Sequence, residues 1–212
     1  MRARIKSYDL AFRMQTAVPE IMNLGSETRQ TQALYGLDNP TTRPFGQNLL
    51  ATRRLVEEGV RFVQVFHGGG AAGAWDAHAN LIGNHDRMCG QADKPIAGLL
   101  RDLKQRGLLE ETVVVWTSEF GRTPGINSQA GRDHYGRAWT TVFAGGGIRG
   151  GQHYGASDKD GFDVAENPVS EGDYFATIYS ALGMNHRKKH YLGSRPIWAT
   201  PEGSKPIKEL LG

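Results

Sequence analysis

Three short polar segments of the chain contain the residue types that bind metal ions and anions. They are residues 75–78 (WDAH), 118–124 (SEFGRTP) and 131–134 (GRDH). Carboxylates and imidazoles are the ligands that suit zinc, manganese or iron when thiolates are absent. The chain has a single cysteine, Cys89, which excludes a cysteine-based metal site. The three segments therefore predict a centre for one divalent ion, built from carboxylate and imidazole groups.

Five residues are the candidate ligands of this ion. Asp76 and His78 are two positions apart, a spacing that puts both side chains on the same side of an extended segment. Glu119 and His134 come from the other two segments, and Asp133 is a fifth candidate. Four such groups suffice for one divalent ion.

Arg122 and Arg132 are the candidate substrate-binding residues, because a guanidinium can hold a phosphate or sulfate through two parallel hydrogen bonds. Each segment also has a purely structural interpretation. An Asp-x-His pair can be hydrogen-bonded within a loop, the glutamate can pair with Arg122, and the last histidine can cap a turn. What favours a site is that all three segments are expected at the same edge of one sheet.

That expectation comes from the elements that precede the segments. Residues 60–66 (VRFVQVF) and 112–116 (TVVVW) have the β-branched and aromatic composition of strands, and a helical region up to about residue 106 separates them. Strand, helix, strand is the βαβ pattern, which predicts a parallel sheet with helices on both faces. In such sheets, ligands bind beyond the carboxyl ends of the strands. Both strands lead into polar segments.

The rest of the sequence adds three helices and one strand. Apolar spacing predicts helices over residues 1–25, 44–59 and 173–182, the last two ending at glycines. Residues 139–144 predict a further strand, and the tail after the last helix has no regular pattern.

Composition and charge limit the partners. The formal net charge is +3, but the basic residues are scattered apart from Arg187-Lys188-Lys189, so no nucleic-acid partner is expected. No hydrophobic stretch approaches the roughly 20 residues needed to cross a bilayer, so no membrane span is expected. The first ten residues carry charges where an export signal has an apolar stretch.

Longer stretches of the chain resemble the DUF1501 family, bacterial proteins that are common in planctomycetes and are assigned to the alkaline phosphatase and sulfatase superfamily. The most specific match is EFGRTP at residues 119–124 followed by GRDH at residues 131–134. Other matching stretches are residues 53–70, 93–127, 144–158 and 205–211. The resemblance covers nearly the whole chain and corresponds to the C-terminal portion of those proteins.

The resemblance implies an α/β fold with a mostly parallel sheet flanked by helices, alkaline phosphatase-like and incomplete because its N-terminal half is missing. Residues 1–48 would be an N-terminal helical arm, and residues 49–212 would be the C-terminal part of the α/β domain. A sheet without its first strands would expose an edge, through which the chain could self-associate.

The resemblance also implies roles for individual residues. Glu119 would stand in the place of a metal-binding carboxylate, with Asp76, His78 and His134 as the other ligands in this portion. Superfamily members typically have Asp-His at that strand end, whereas this chain has Glu119 followed by Phe120, which is the usual DUF1501 form.

The implied function is a metal-dependent hydrolase of phosphate or sulfate esters, acting on a small anionic ester. As a fragment, the chain would lack the nucleophile, so that no catalytic residue is assigned. The alternative is a degenerate, non-catalytic member of the superfamily that binds an anionic ligand or a partner protein, and a phosphomutase-type enzyme is a third candidate. Full-length family members are implied to be exported.

Overall fold

The computed structural model describes residues 18–68 and 74–212, together with Ile5, Tyr8 and Phe12. The chain divides into two compact units. The first comprises residues 1–76 and 82–105, and the second comprises residues 77–81 and 106–212. The division into a helical arm over residues 1–48 and a larger domain over residues 49–212 stays a prediction.

The described part of the first unit is helical. Besides helical residues 18–21 and a 3-10 turn at Leu24–Ser26, it contains the helices α1 (Arg29–Leu34), α2 (Arg43–Glu57) and α3 (Leu81–Gln105). Pro44 stands in the first turn of α2, where a missing N–H costs nothing, and Gly59 follows its end with φ +80°. The helices predicted over residues 44–59 and in the region before residue 106 are therefore confirmed.

Charged side chains are buried in the first unit and are paired there. Arg53 is only 2% exposed and forms ion pairs with Glu27 at 2.7 Å, with Asp102 at 3.0 Å and with Glu57. The buried Tyr35 donates its hydroxyl to the same Asp102 carboxylate at 3.0 Å. Burial, followed by the Asp102 charge, raises the pKa of Tyr35. This network joins α2 and α3 to the segment before α1. The pairing matters because a buried charge is costly unless it is paired.

The second unit consists of short antiparallel strand pairs and one helix. The pairs are β1 (Val113–Trp116) with β4 (Val142–Gly145), β2 (Gly121–Arg122) with β3 (His134–Tyr135), β5 (Ala156–Ser157) with β6 (Val164–Glu166), and β7 (Lys189–Leu192) with β8 (Arg195–Trp198). Helix α4 (Glu171–Ala181) begins after Ser170, whose hydroxyl accepts a hydrogen bond from the N–H of Asp173. The helix predicted over residues 173–182 is confirmed.

The predicted fold class, a mostly parallel sheet flanked by helices, is wrong. Residues 60–66 form no strand in the described part of the chain, so the βαβ unit that they were to begin is absent. The strands predicted over residues 112–116 and 139–144 do form, as β1 and β4, but they pair with each other and run antiparallel. Strand propensity is local and does not specify the partner. An extended segment such as residues 60–66 cannot complete a ladder by itself.

The structure does not test two other expectations from the sequence. The helix predicted over residues 1–25 falls mostly outside the described residues. Self-association was expected at the edge of a parallel sheet that the described residues do not form, so it stays an untested prediction.

The helices within the described ranges are all too short or too polar to cross a membrane.

Candidate metal centre

Backbone pairing within the second unit brings the three polar segments together. In the β2–β3 pair, Arg122 stands opposite His134, which joins the second segment to the third. The third segment is joined to the first because the N–H of Arg132 donates to the carbonyl of Ala77 at 3.0 Å. The segments therefore meet across antiparallel ladders and a loop, and not at the carboxyl ends of parallel strands.

A single asparagine organises the loop between the second and third segments. The side-chain N–H of Asn127 donates to the carbonyl of His78 at 3.0 Å, and its oxygen accepts hydrogen bonds from the N–H groups of Gln129 and Gly131. Gly131 lies so close to the first segment that a Cβ atom there would be 2.0 Å from the carbonyl carbon of His78. Only glycine fits at this position, and its fit sets the distance between the two segments.

Three of the five candidate ligands have their ligand atoms within 4.8 Å of one another: Asp76, His78 and His134. Asp76 is the last residue before the segment 77–81 and is two positions from His78 along the chain. The Nε2 atoms of the two histidines are 3.2 Å apart. Two nitrogens bound to one tetrahedral zinc, at the usual Zn–N distance, are separated by about 3.3–3.4 Å. The donor types and their spacing thus fit a divalent ion.

Asp133, another of the five candidates, contacts the other nitrogen of His78. Its Oδ1 lies 3.0 Å from the Nδ1 of His78 and accepts a second hydrogen bond from Asn127 at 3.1 Å. These two hydrogen bonds, that of His78 first, lower the pKa of the Asp133 carboxyl. Because an ionised carboxylate only accepts hydrogen bonds, it places the ring proton of His78 on Nδ1. The lone pair of His78 is then on Nε2, on the side of His134.

The remaining candidates are engaged with protein groups. The Oε1 of Glu119 accepts a hydrogen bond from Arg122 at 3.2 Å, and the glutamate is not part of the three-residue group. Arg132 donates through one guanidinium nitrogen to the carbonyls of Thr123 and Pro124, at 2.6 Å each. Arg122 therefore lies opposite His134 in the β2–β3 ladder. Arg132 instead holds the backbone of the second segment at Thr123 and Pro124.

Phe120 forms an apolar wall against the group. Its ring centroid lies 4.7 Å from that of His134, with the planes tilted by 57°. The side chain of His78 is 45% exposed, so the group is open to solvent on another side. The group thus has an aromatic ring on one side and is open to solvent on another.

His67 belongs to a different cluster, in the first unit. Its Nδ1 accepts a hydrogen bond from the indole N–H of Trp75 at 3.0 Å, and its ring lies 4.3 Å from that of Phe45, centroid to centroid. Burial lowers the pKa of His67. His67 thus lies between the rings of Phe45 and Trp75 within this unit.

Two residues of the site were not found from the sequence. Asn127 holds the first and third segments together, and the hydroxyl of Thr123 accepts a hydrogen bond from the N–H of Asp133 at 3.2 Å. The available signal was the turn-rich stretch around residues 124–131, where an asparagine typically accepts hydrogen bonds from backbone N–H groups a few residues on.

A comparison with protein families matches residues 1–211 of the chain to the family described as "Protein of unknown function (DUF1501)". No curated protein and no solved structure matches the chain. The match spans nearly all of the sequence, and the chain belongs to the DUF1501 family.

Proposed function

We propose that this DUF1501 protein is a metal-dependent hydrolase of phosphate or sulfate esters, with one divalent ion held by Asp76, His78 and His134. The observation that carries the proposal is the distance of 3.2 Å between the two histidine Nε2 atoms, with a carboxylate oxygen within 4.8 Å of them. Zinc, manganese and iron are the ions that suit this donor set. The proposal uses the donor set and the sequence motifs, and does not depend on a parallel-sheet fold.

Three protein ligands are the number that catalytic sites provide, because a further coordination position then stays open for water or substrate. The side chain of His78 is 45% exposed, so water or a small substrate would have access to the group. A bound divalent ion would supply polarisation of the ester oxygen and a lowered pKa for water.

Protein groups outside the ligand set have their own tasks in this proposal. Asp133, hydrogen-bonded to the Nδ1 of His78, orients the ring and keeps it in the tautomer that can bind a cation. Asp133 therefore has a positioning role in this proposal, whereas its residue type and place in the sequence had made it a candidate ligand. Arg122, whose guanidinium is hydrogen-bonded to Glu119, would supply positive charge near a bound ion and would hold an anionic ester oxygen.

A non-catalytic binding protein is the second candidate, and two observations favour it. Glu119 and Arg122, both expected to act on metal or substrate, are paired with each other at 3.2 Å. The ring of Phe120 also occupies space next to His134. A protein that only binds an anion needs neither an open coordination position nor a bound ion.

Ester hydrolysis after metal loading tests the proposal. The purified chain is stripped with a chelator, reloaded separately with zinc, manganese or iron(II), and assayed with p-nitrophenyl phosphate and p-nitrophenyl sulfate. Because no side-chain nucleophile is assigned, we expect only slow hydrolysis with at least one ion, and its loss in His78→Ala and His134→Ala. The matched control is His153→Ala, which removes an exposed histidine from another loop. Tight metal binding with no hydrolysis of either ester would contradict the hydrolase but not the metal site. The absence of both metal binding and hydrolysis would overturn the proposal and favour the binding protein, which needs no ion.

A further inference from the structure

The β7–β8 hairpin of the second unit is exposed on both of its faces. All eight residues of its two strands are solvent-exposed, and Gly193 and Ser194 form the two-residue turn between them. The base is held firmly, because the N–H of Ala199 donates to the carbonyl of Lys188 and the buried Thr200 donates its hydroxyl to the carbonyl of His186. The hairpin is therefore an anchored projection with unpartnered faces.

The hairpin and its approach carry positive charge only. From Tyr174 to Pro201 the sequence contains no Asp or Glu, and its charged residues are Arg187, Lys188, Lys189 and Arg195. All four are exposed. This charge is concentrated, since the whole chain has a formal net charge of only +3. The surface is complementary to a strongly anionic partner.

Large apolar side chains lie among these cations. Tyr191 is 67% exposed, Leu192 73%, Ile197 46% and Trp198 39%. Cross-strand pairing places Tyr191 and Trp198 on one face, and Leu192 and Ile197 on the other. The ammonium group of Lys189 lies 4.2 Å from the centre of the Trp198 ring, so the cation and the aromatic ring are side by side.

We propose that the β7–β8 hairpin binds the surface of an anionic phospholipid bilayer, with its tip inserted at the level of the headgroups. Tyr and Trp are the residues enriched at that level, and the adjacent basic residues are attracted to anionic headgroups. The aliphatic side chain at the tip favours a bilayer over single-stranded nucleic acid, because nucleic acid is bound by basic and aromatic groups alone. Leu192, the most exposed apolar residue of the hairpin, gains burial only in an apolar phase.

Vesicle sedimentation tests the proposal with the whole chain. Phosphatidylcholine vesicles with and without phosphatidylserine are used at low and high salt. We expect binding to the anionic vesicles only, weakened by salt. Lys188→Ala with Lys189→Ala should weaken it by roughly tenfold or more, and Leu192→Ser should weaken it without changing the salt dependence. The control, Arg101→Ala with Lys104→Ala, removes the same charge from an exposed part of α3 and should bind normally.

Several outcomes would overturn the proposal. They are equal binding to neutral vesicles, binding that the hairpin variants leave unchanged while circular dichroism shows them folded, and no binding to anionic vesicles. Tight binding of single-stranded RNA, or a dimer in light scattering that Leu192→Ser dissociates, would assign the hairpin to nucleic acid or to a second copy of the chain.

Discussion

The Nδ1 atom of His78 lies 3.0 Å from the Oδ1 atom of Asp133, and the Nε2 atom on the other side of the same ring lies 3.2 Å from the Nε2 atom of His134. One imidazole thus connects a carboxylate to a second imidazole. In metal proteins, a carboxylate commonly orients a histidine ligand through one ring nitrogen while the other nitrogen binds the ion. Asp133 and His78 have this relationship, with Nε2 of His78 directed toward His134.

Replacing Asp133 with Asn should weaken metal binding by about 10–100-fold without abolishing it, because an outer carboxylate orients a ligand and does not bind the ion. The measurement is a competition titration against a chromophoric zinc chelator. Asp160→Asn is the matched control, since it removes an exposed carboxylate from another loop. If Asp133→Asn abolishes binding as fully as His78→Ala, then Asp133 is itself a ligand.

Gly131→Ala should disrupt the site, because the added Cβ would lie 2.0 Å from the carbonyl carbon of His78 and the two segments would have to separate. We expect the free energy of unfolding to fall by more than about 2 kcal/mol and metal binding to be lost. Urea unfolding and zinc titration measure the two effects. Gly125→Ala is the control in the same loop, because a Cβ there meets no atom within 4 Å. Equal behaviour of the two variants would contradict the close contact.

Asp102→Ala should destabilise the protein by about 3–5 kcal/mol, because it removes one partner of a buried ion pair and leaves Arg53 with less compensation. It also removes the acceptor of the Tyr35 hydroxyl. Lys94→Ala breaks the exposed Lys94–Asp38 pair instead and should cost less than about 1 kcal/mol. Urea unfolding at neutral pH compares them, and similar costs would show that burial of the pair is energetically unimportant.

Asp173 should contribute stability that is lost in acid. A hydrogen bond from the backbone N–H of Lys205 is the main cause that lowers the pKa of its carboxyl in the folded protein. A group with a depressed folded pKa stabilises above its unfolded pKa, about 3.9 for Asp, and loses this contribution as the pH falls through the folded value. The free energy of unfolding of the wild type, measured in urea, should therefore fall more steeply below about pH 4 than that of Asp173→Asn. Parallel pH profiles would contradict this role.

Three of the candidate ligands predicted from the sequence lie close together, although the parallel sheet that was expected to carry them does not form in the described part of the chain. Asp76 and His78 were placed on one side of an extended segment from their spacing alone, and the structure brings their ligand atoms together with that of His134. The parallel sheet failed because residues 60–66 have strand composition but no neighbouring strand. Residue types near a site are local information, whereas strand pairing depends on the whole chain.

Two further features show the same limit. The β7–β8 hairpin lies in a tail predicted to be irregular, although Gly193-Ser194 between two short apolar and basic runs is a hairpin signal. Asn127 was passed over because an asparagine in a turn is common. Its importance lies in a contact with His78, far away in the sequence, that turn chemistry does not indicate.

The metal content of the purified chain, determined by elemental analysis beside His78→Ala with His134→Ala, tests the central claim most directly. The claim predicts about one zinc, manganese or iron per wild-type chain. It predicts none in the double variant, with circular dichroism unchanged and the His153→Ala control retaining its metal. A folded wild-type chain that binds no divalent ion when these ions are supplied, or a double variant that binds as much as the wild type, would contradict it.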